Sequence, residues 1–338
     1  MTFRIILWTL SLLAFGGSAW GQPPIVIKFS HVVAPDTPKG RAAEKFRLLA
    51  EERTGGRVRV EVYPNSRLYK DREELEALQL GAVQMLAPSL SKFGPLGIPE
   101  FQLFDLPYIF PNKETLHRVM DGDIGRGLLD RLEVRGIVGL AFWDNGFKQM
   151  SANRPLRAPA DFRGLKMRIQ PSPVLDAQMK ALGAFPQPMA FSEVYSALKN
   201  GAVDGTENPV SNFYTQRMNE VQKHLTMSDH GYLGYAVIVN QRFWQGLPPD
   251  IRGTLTEVMK EVTAYEREIS QRDNDAALDA VRKAGTTEVY ILPHAGRVAW
   301  QKALAPVQQE FERTVGAELL ERIRAVALQV ETEQAGGR

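Results

Sequence analysis

The sequence contains no cysteine. A disulfide framework and a thiolate metal site are therefore excluded, and the fold has to be stabilised by core packing alone. Histidine is scarce as well: the chain has five, and none forms the His-Glu-x-x-His pattern of a zinc site on a helix. A Gly-x-Ser-x-Gly motif and a phosphate-binding loop are also missing. We therefore expect neither a metal nor a cofactor, and we do not expect an enzyme.

Neither sign of charge dominates, since 41 Lys and Arg stand against 39 Asp and Glu. A balance so close to neutrality argues against nucleic acid as a partner, and we expect none. Hydrophobic residues make up 44% of the 338 residues and charged residues 24%. These proportions are typical of a globular protein, and the length is sufficient for two domains.

Only the N-terminus carries a long apolar segment. Arg4 precedes it, and Ala19 and Gly21 place small residues where a signal peptidase reads them. This pattern predicts a secretory signal peptide over residues 1–21, cleaved after about Gly21. An uncleaved anchor is the alternative, but the apolar core is too short to span a membrane comfortably. We expect a soluble mature protein in the bacterial periplasm, with a formal charge of +1 because Arg4 is lost.

The first part of the mature chain alternates between strand and helix patterns. Strands are predicted at 25–30, 58–63 and 83–87, with helices between them that start at Pro38 and at an Asp71 cap. This order is typical of an α/β fold in which helices cover a parallel sheet.

Ligands of such sheets lie beyond the carboxyl ends of the strands. Ser89, Ser91 and Lys92 follow the third predicted strand and are candidates for the crevice. The alternative for Lys92 is an ordinary surface lysine.

Residues 141–209 alternate short apolar runs with turn-forming pairs, such as Asn145-Gly146. The segment at 166–169 reads Lys-Met-Arg-Ile, and a strand would place Lys166 and Arg168 on one side. Two cations on one face indicate either a strand end that opens into a cleft or a solvated edge strand. Spacing alone leaves both alternatives open.

A helical pattern starts at Pro249 and continues to Gly285. About 35 residues at roughly 1.5 Å each give about 50 Å, which exceeds the width of one compact domain. We therefore predict a helix over residues 249–284 that braces two domains.

Motif order along nearly the whole mature chain resembles one family, the TRAP-transporter solute-binding proteins, and in particular their DctP branch, which delivers C4-dicarboxylates. The matching motifs are Lys-Phe-Ser-His-Val at 28–32, Glu-Val-Tyr-Pro-Asn-Ser at 61–66, Phe-Asp-Leu-Pro-Tyr at 104–108, and Glu-Val-Tyr-Ser-Ala-Leu at 193–198. Each is weak alone, but their collinear order is specific.

The resemblance implies a two-lobed, periplasmic-binding-protein-like α/β fold. Each lobe would hold a mixed sheet flanked by helices, and a long helix would bridge the lobes. On this basis lobe I comprises residues 22–145 and 234–273, and lobe II comprises residues 146–233 and 274–338.

The resemblance also assigns a ligand site. Arg168 occupies the position of the carboxylate-binding arginine, Asn208 that of a neutral donor, and Phe191 that of a ring that covers the ligand; a core phenylalanine is the alternative for Phe191. Lys148 stands where members that bind sialic acid carry a second arginine. Lys92 and Ser89 match a cationic and a polar position across the cleft.

Three cations would exceed what one carboxylate needs, so the resemblance implies a dianion such as succinate, fumarate or malate. For either lysine alone, a solvated position is the alternative.

The sequence therefore predicts a monomeric periplasmic receptor that closes over a small dicarboxylate and delivers it to a TRAP-type permease in the membrane. A receptor for another organic acid and a ligand-sensing subunit of a signalling kinase are alternatives. An enzyme would need an acid–base set, for which His31, Asp144 and Glu207 are the available residues.

Overall fold

The computed structural model describes residues 23–336, so the predicted signal peptide lies outside the described residues. The strands are β1 (Ile25–Ser30), β2 (Val58–Tyr63), β3 (Met85–Leu86), β4 (Ile137–Ala152), β5 (Lys166–Ile169), β6 (Phe185–Pro188), β7 (Gly205–Asn208), β8 (His224–Asn240) and β9 (Glu288–Ile291). The α-helices are α1 (Pro38–Arg53), α2 (Glu74–Gln79), α3 (Lys113–Asp121), α4 (Asp123–Asp130), α5 (Pro173–Ala181), α6 (Val194–Lys199), α7 (Val210–Thr215), α8 (Gln241–Gln245), α9 (Pro249–Ala284), α10 (His294–Val315) and α11 (Ala317–Gly336).

The predicted alternation of strands and helices near the N-terminus is confirmed. β1 pairs in parallel with β2 and with β3, and α1 connects the first pair. β3 is shorter than predicted; Pro88 follows it closely and has no amide hydrogen with which to extend the ladder.

The helix cap predicted at Asp71 is wrong. α2 begins at Glu74, and its N-cap residue, Glu73, makes no side-chain capping bond. The carboxylate of Asp71 instead accepts a hydrogen bond from the backbone N–H of Phe191, at 2.7 Å.

The turn predicted at Asn145-Gly146 is wrong as well. β4 continues through this pair to Ala152 and stays antiparallel to β8, with a register shift between Asp144 and Gly146. Gly146 has a φ of 132°, a value that side-chain-bearing residues rarely adopt. The pair therefore forms a β-bulge, which bends the strand without reversing it.

β4 and β8 join two halves of one nine-stranded mixed sheet of order β2-β1-β3-β8-β4-β7-β5-β6, with β9 paired to β8. The first half of β4 pairs with the C-terminal half of β8, beside β3. The second half of β4 lies between β7 and the N-terminal half of β8. We call the half with β1–β3 lobe I and the half with β5–β7 and β9 lobe II. The mixed sheet expected in each lobe is thus one half of a continuous sheet.

The predicted long helix is confirmed. α9 has 36 residues and ends at Gly285, whose φ is 66°. It contacts α1 in lobe I, α7 in lobe II, and β4 between them. α11, which the sequence analysis groups with lobe II, contacts α3 of lobe I as well as α10. Across residues 23–336, none of the helices combines the length and the apolarity that a membrane span requires.

Candidate functional site

A small cavity lies between the lobes. The cavity opens where several strands end, with Ser89 beyond β3, Gln170 beyond β5 and Asn208 at the end of β7. Its lining also includes Val32, Val33, Lys39, Asp71, Arg168, Phe191, Asn212, Leu233 and Tyr235.

Arg168 is the most unusual side chain of the cavity. It is 2% exposed, and its Nε and Nη2 donate to the carbonyl of Met189 at 3.2 and 2.9 Å. Among residues 23–336, no carboxylate oxygen lies within 4.0 Å of its guanidinium. Burial lowers the pKa of Arg168 to about 10, so it remains charged at pH 7. Of the two cations of β5, Arg168 lines the cleft while Lys166 is exposed.

Lys39 supplies a second buried cation, which the sequence analysis did not select. It lies in the first turn of α1 and is 1% exposed. Its Nζ donates to the carbonyl of Ala87 at 2.9 Å and lies 3.6 Å from the ring centroid of Tyr235. Like Arg168, it has no carboxylate oxygen within 4.0 Å among the described residues.

Lys92 does not line the cavity, although it is buried as a site residue would be. Its Nζ lies 2.5 Å from Asp71 and also bonds Glu74. Burial raises the pKa of Glu74. Lys92 therefore forms ion pairs with Glu74 and with Asp71, an acidic side chain of the cavity lining.

Lys148 also lies outside the cavity lining. Its Nζ donates to Glu207 at 2.8 Å and lies 4.0 Å from Asp105. The other carboxylate oxygen of Glu207 bonds His230 Nε2 at 2.8 Å. Despite burial, Lys148 and His230 lower the pKa of Glu207 to about 2, so Glu207 is ionised at pH 7.

The neutral site residues predicted from the sequence all line the cavity. Ser89 Oγ donates to Gln170 Oε1 across the lobes at 3.2 Å. Asn208 Nδ2 donates to Thr206 at 3.2 Å, and Phe191 is 6% exposed, with its ring centroid 5.7 Å from the Arg168 guanidinium carbon. The structure thus brings Arg168, Asn208, Phe191 and Ser89 together.

A signal for Lys39 was present in the sequence. Lys39 follows the first strand by nine residues, and ligands of parallel sheets lie beyond the carboxyl ends of the strands. A positive charge in the first turn of a helix is also unfavourable, because the N-terminal end of the helix dipole is positive. A lysine at this position therefore indicates a role other than helix stability.

Among the described residues, His31, Asp144 and Glu207 make no hydrogen bond or ion pair with one another. Asp144 contacts Lys113 at 3.1 Å and His117 at 3.5 Å, while Glu207 belongs to the Lys148 pair. Burial and the neighbouring Lys39 lower the pKa of His31 to about 3, which makes it a poor base near neutrality. Within residues 23–336, acidic and histidine side chains form no cluster that could hold a metal ion.

A cavity between two α/β lobes, lined by buried basic side chains and neutral donors, is typical of a solute-binding protein. Comparison with protein families agrees: the model of the bacterial extracellular solute-binding protein family 7 matches residues 29–314. The chain belongs to this family.

Individual relatives cover most of the chain. It is 64% identical over 302 residues to the C4-dicarboxylate-binding periplasmic protein DctP of Rhodobacter capsulatus, covering 89% of this chain and 91% of that protein. A TRAP periplasmic solute-binding protein from Shewanella oneidensis, solved with bound succinate, superposes with a TM-score of 0.88 at 42% identity and covers 90% of this chain and 99% of its own. A similar protein from Pseudomonas aeruginosa, with bound L-malate, gives 0.83 at 44% identity and covers 85% and 100%.

Proposed function

We propose that this chain is a periplasmic receptor that captures a C4-dicarboxylate and delivers it to the membrane permease of a TRAP transporter. One observation carries the proposal: two buried cations, Arg168 and Lys39, line one cavity and lack an acidic partner within 4.0 Å among the described residues. Buried charges are normally paired, because an unpaired charge costs several kcal/mol. A ligand with two carboxylates would pair both.

Arg168 suits the first carboxylate. Two of its nitrogens donate to Met189, which fixes the plane of the guanidinium. A planar fork can give a carboxylate charge-assisted hydrogen bonds of defined direction. Asn208 adds a neutral donor, and the ring of Phe191 can cover the carbon skeleton of the ligand.

For the second carboxylate we propose Lys39 in place of Lys148 and Lys92. The latter two already neutralise carboxylates of the protein, and a ligand would have to break those pairs to use them. The relatives with bound succinate and L-malate are consistent with a dicarboxylate of four carbons.

Closure of the lobes would complete the site. Ser89 to Gln170 and Phe191 N–H to Asp71 are direct hydrogen bonds between the lobes. A ligand that contacts Arg168 in lobe II and Lys39 in lobe I also links the two lobes, and it therefore favours the closed state. The receptor transforms nothing chemically; the event is hinge closure, followed by docking to the permease after export and signal-peptide cleavage.

Ligand-dependent thermal unfolding of the mature protein tests the proposal. A ligand at about 100 times Kd adds roughly 2.7 kcal/mol to the free energy of unfolding, which raises Tm by a few degrees for a chain of this size. Succinate, fumarate and malate should raise Tm, whereas butyrate, glucose and sialic acid should not. A response to sugars or sialic acid without one to the dicarboxylates would contradict the proposal.

A further inference from the structure

The surroundings of Lys39 disfavour its protonated, positively charged form. Its Nζ has one carbonyl, Ala87 O at 2.9 Å, and the face of the Tyr235 ring at 3.6 Å, but no carboxylate of the described residues within 4.0 Å. A buried lysine without an anionic partner tends to release its proton, whereas a buried arginine stays charged. Arg168 and Lys39 therefore differ in charge state, although both are buried basic side chains.

The nearby charges do not remove this difference. The carboxylates of Asp71 and Glu74, whose charges act on Lys39, are both bonded to Lys92. The titratable and charged groups that face Lys39 from the elements around it are His31, Asp71, Glu74, Lys92, Arg168, Tyr235 and Glu266. Burial is the dominant cause that lowers the pKa of Lys39, to about 7.

We propose that ligand capture is coupled to the uptake of a proton by Lys39, so that the receptor holds its ligand more weakly as the pH rises above neutrality. This inference rests on the proposed function, because the second carboxylate of the ligand supplies the anionic partner that Lys39 lacks. A group that gains such a partner on binding takes up the proton that it had lost in the free protein.

The effect has a defined size. If only the protonated Lys39 binds, the apparent Kd rises about tenfold for each pH unit above the pKa of the free receptor. Between pH 7 and pH 8.5 the loss of affinity for a dicarboxylate is then roughly 15-fold. The ligand itself contributes no proton in this range, because carboxyl groups are ionised there.

Isothermal titration of succinate in buffers of different ionisation enthalpy measures the protons taken up. We expect close to one proton per ligand at pH 8.5 and about half a proton at pH 7. Lys39→Arg should take up almost none at either pH, because a guanidinium stays charged. Lys166→Arg, at an exposed position on β5, is the matched control and should behave like the wild type.

Succinate binding by the wild type without proton uptake at pH 8.5 would overturn the coupling and leave the proposed function standing. Uptake that persists in a folded Lys39→Arg would overturn the assignment to Lys39. Absence of succinate binding at every pH would overturn the proposed function and the coupling together. If Lys39→Arg does not fold, the number of protons taken up by the wild type still tests whether ligand capture is coupled to proton uptake.

Discussion

Replacing Arg168 by methionine should weaken ligand binding while leaving the unliganded protein at least as stable. The two effects have one cause, the buried guanidinium that no acid of the described residues neutralises. A buried charge that serves only the stability of the fold is normally paired with an opposite charge.

The structure gives the magnitudes. Burial lowers the pKa of Arg168 to about 10, and a shift of this size corresponds to about 3 kcal/mol against the charged state at pH 7. Methionine removes this cost and retains an apolar stem, but it loses two hydrogen bonds to Met189 O, at about 1 kcal/mol each. The free energy of unfolding should therefore stay the same or rise by about 1 kcal/mol. A bound carboxylate left without its partner costs about 3–5 kcal/mol, which is two to four decades in Kd.

Urea unfolding without ligand and calorimetric titration with succinate measure the two effects on the same protein. Lys166→Met serves as the control, because Lys166 lies on the same strand but is exposed. Unchanged succinate affinity in Arg168→Met would refute the placement of the ligand. If the free energy of unfolding without ligand falls by about 4 kcal/mol or more, the claim that the buried charge of Arg168 destabilises the unliganded protein is refuted.

Three further predictions concern the surroundings of the site. Lys148→Met should destabilise the fold by about 3–5 kcal/mol, because Glu207 loses its buried partner, while the ratio of succinate to butyrate affinity stays unchanged; a collapse of that ratio would place Lys148 on the ligand. Burial raises the pKa of Glu266 well above its usual value. The folded state therefore keeps a proton that the unfolded state releases above about pH 4.3. The free energy of unfolding should fall as the pH rises from about 4.3 toward the pKa of Glu266 in the folded state. Glu266→Gln should flatten this slope in urea unfolding between pH 5 and pH 8, and an unchanged slope would contradict the assignment. Gly146→Ala should cost about 1–3 kcal/mol in thermal unfolding, because its φ is 132° and the added Cβ would lie 3.2 Å from Asn274 Nδ2; wild-type stability would show that the bulge relaxes.

Local patterns predicted much of the fold. β1, β2 and α9 have the predicted bounds, because alternation, a proline at the start and a glycine at the end are properties of neighbouring residues. The turn predicted at Asn145-Gly146 is a bulge, because turns and bulges favour the same residues. Pairing with β8, about 90 residues away, determines that β4 continues through this pair.

The site was harder to predict, because the role of a lysine depends on which carboxylates lie nearby. The Glu207 that pairs with Lys148 is 59 residues along the chain, and Lys92 meets Asp71 and Glu74 only when α2 packs against the segment after β3. Sequence spacing contains neither fact. The family resemblance assigned Arg168, Asn208 and Phe191, and Ser89 was also predicted from its place after the third strand. Their role in binding remains a prediction.

The central claim is that one dicarboxylate pairs the two buried cations of the cavity. A crystal structure of the mature protein with succinate tests this most directly. We predict one carboxylate on the guanidinium of Arg168 and the other within hydrogen-bonding distance of Lys39 Nζ, with the pairs Lys148–Glu207 and Lys92–Asp71 intact. A ligand carboxylate bound to Lys148 or Lys92, with Lys39 left unpaired, would contradict the account.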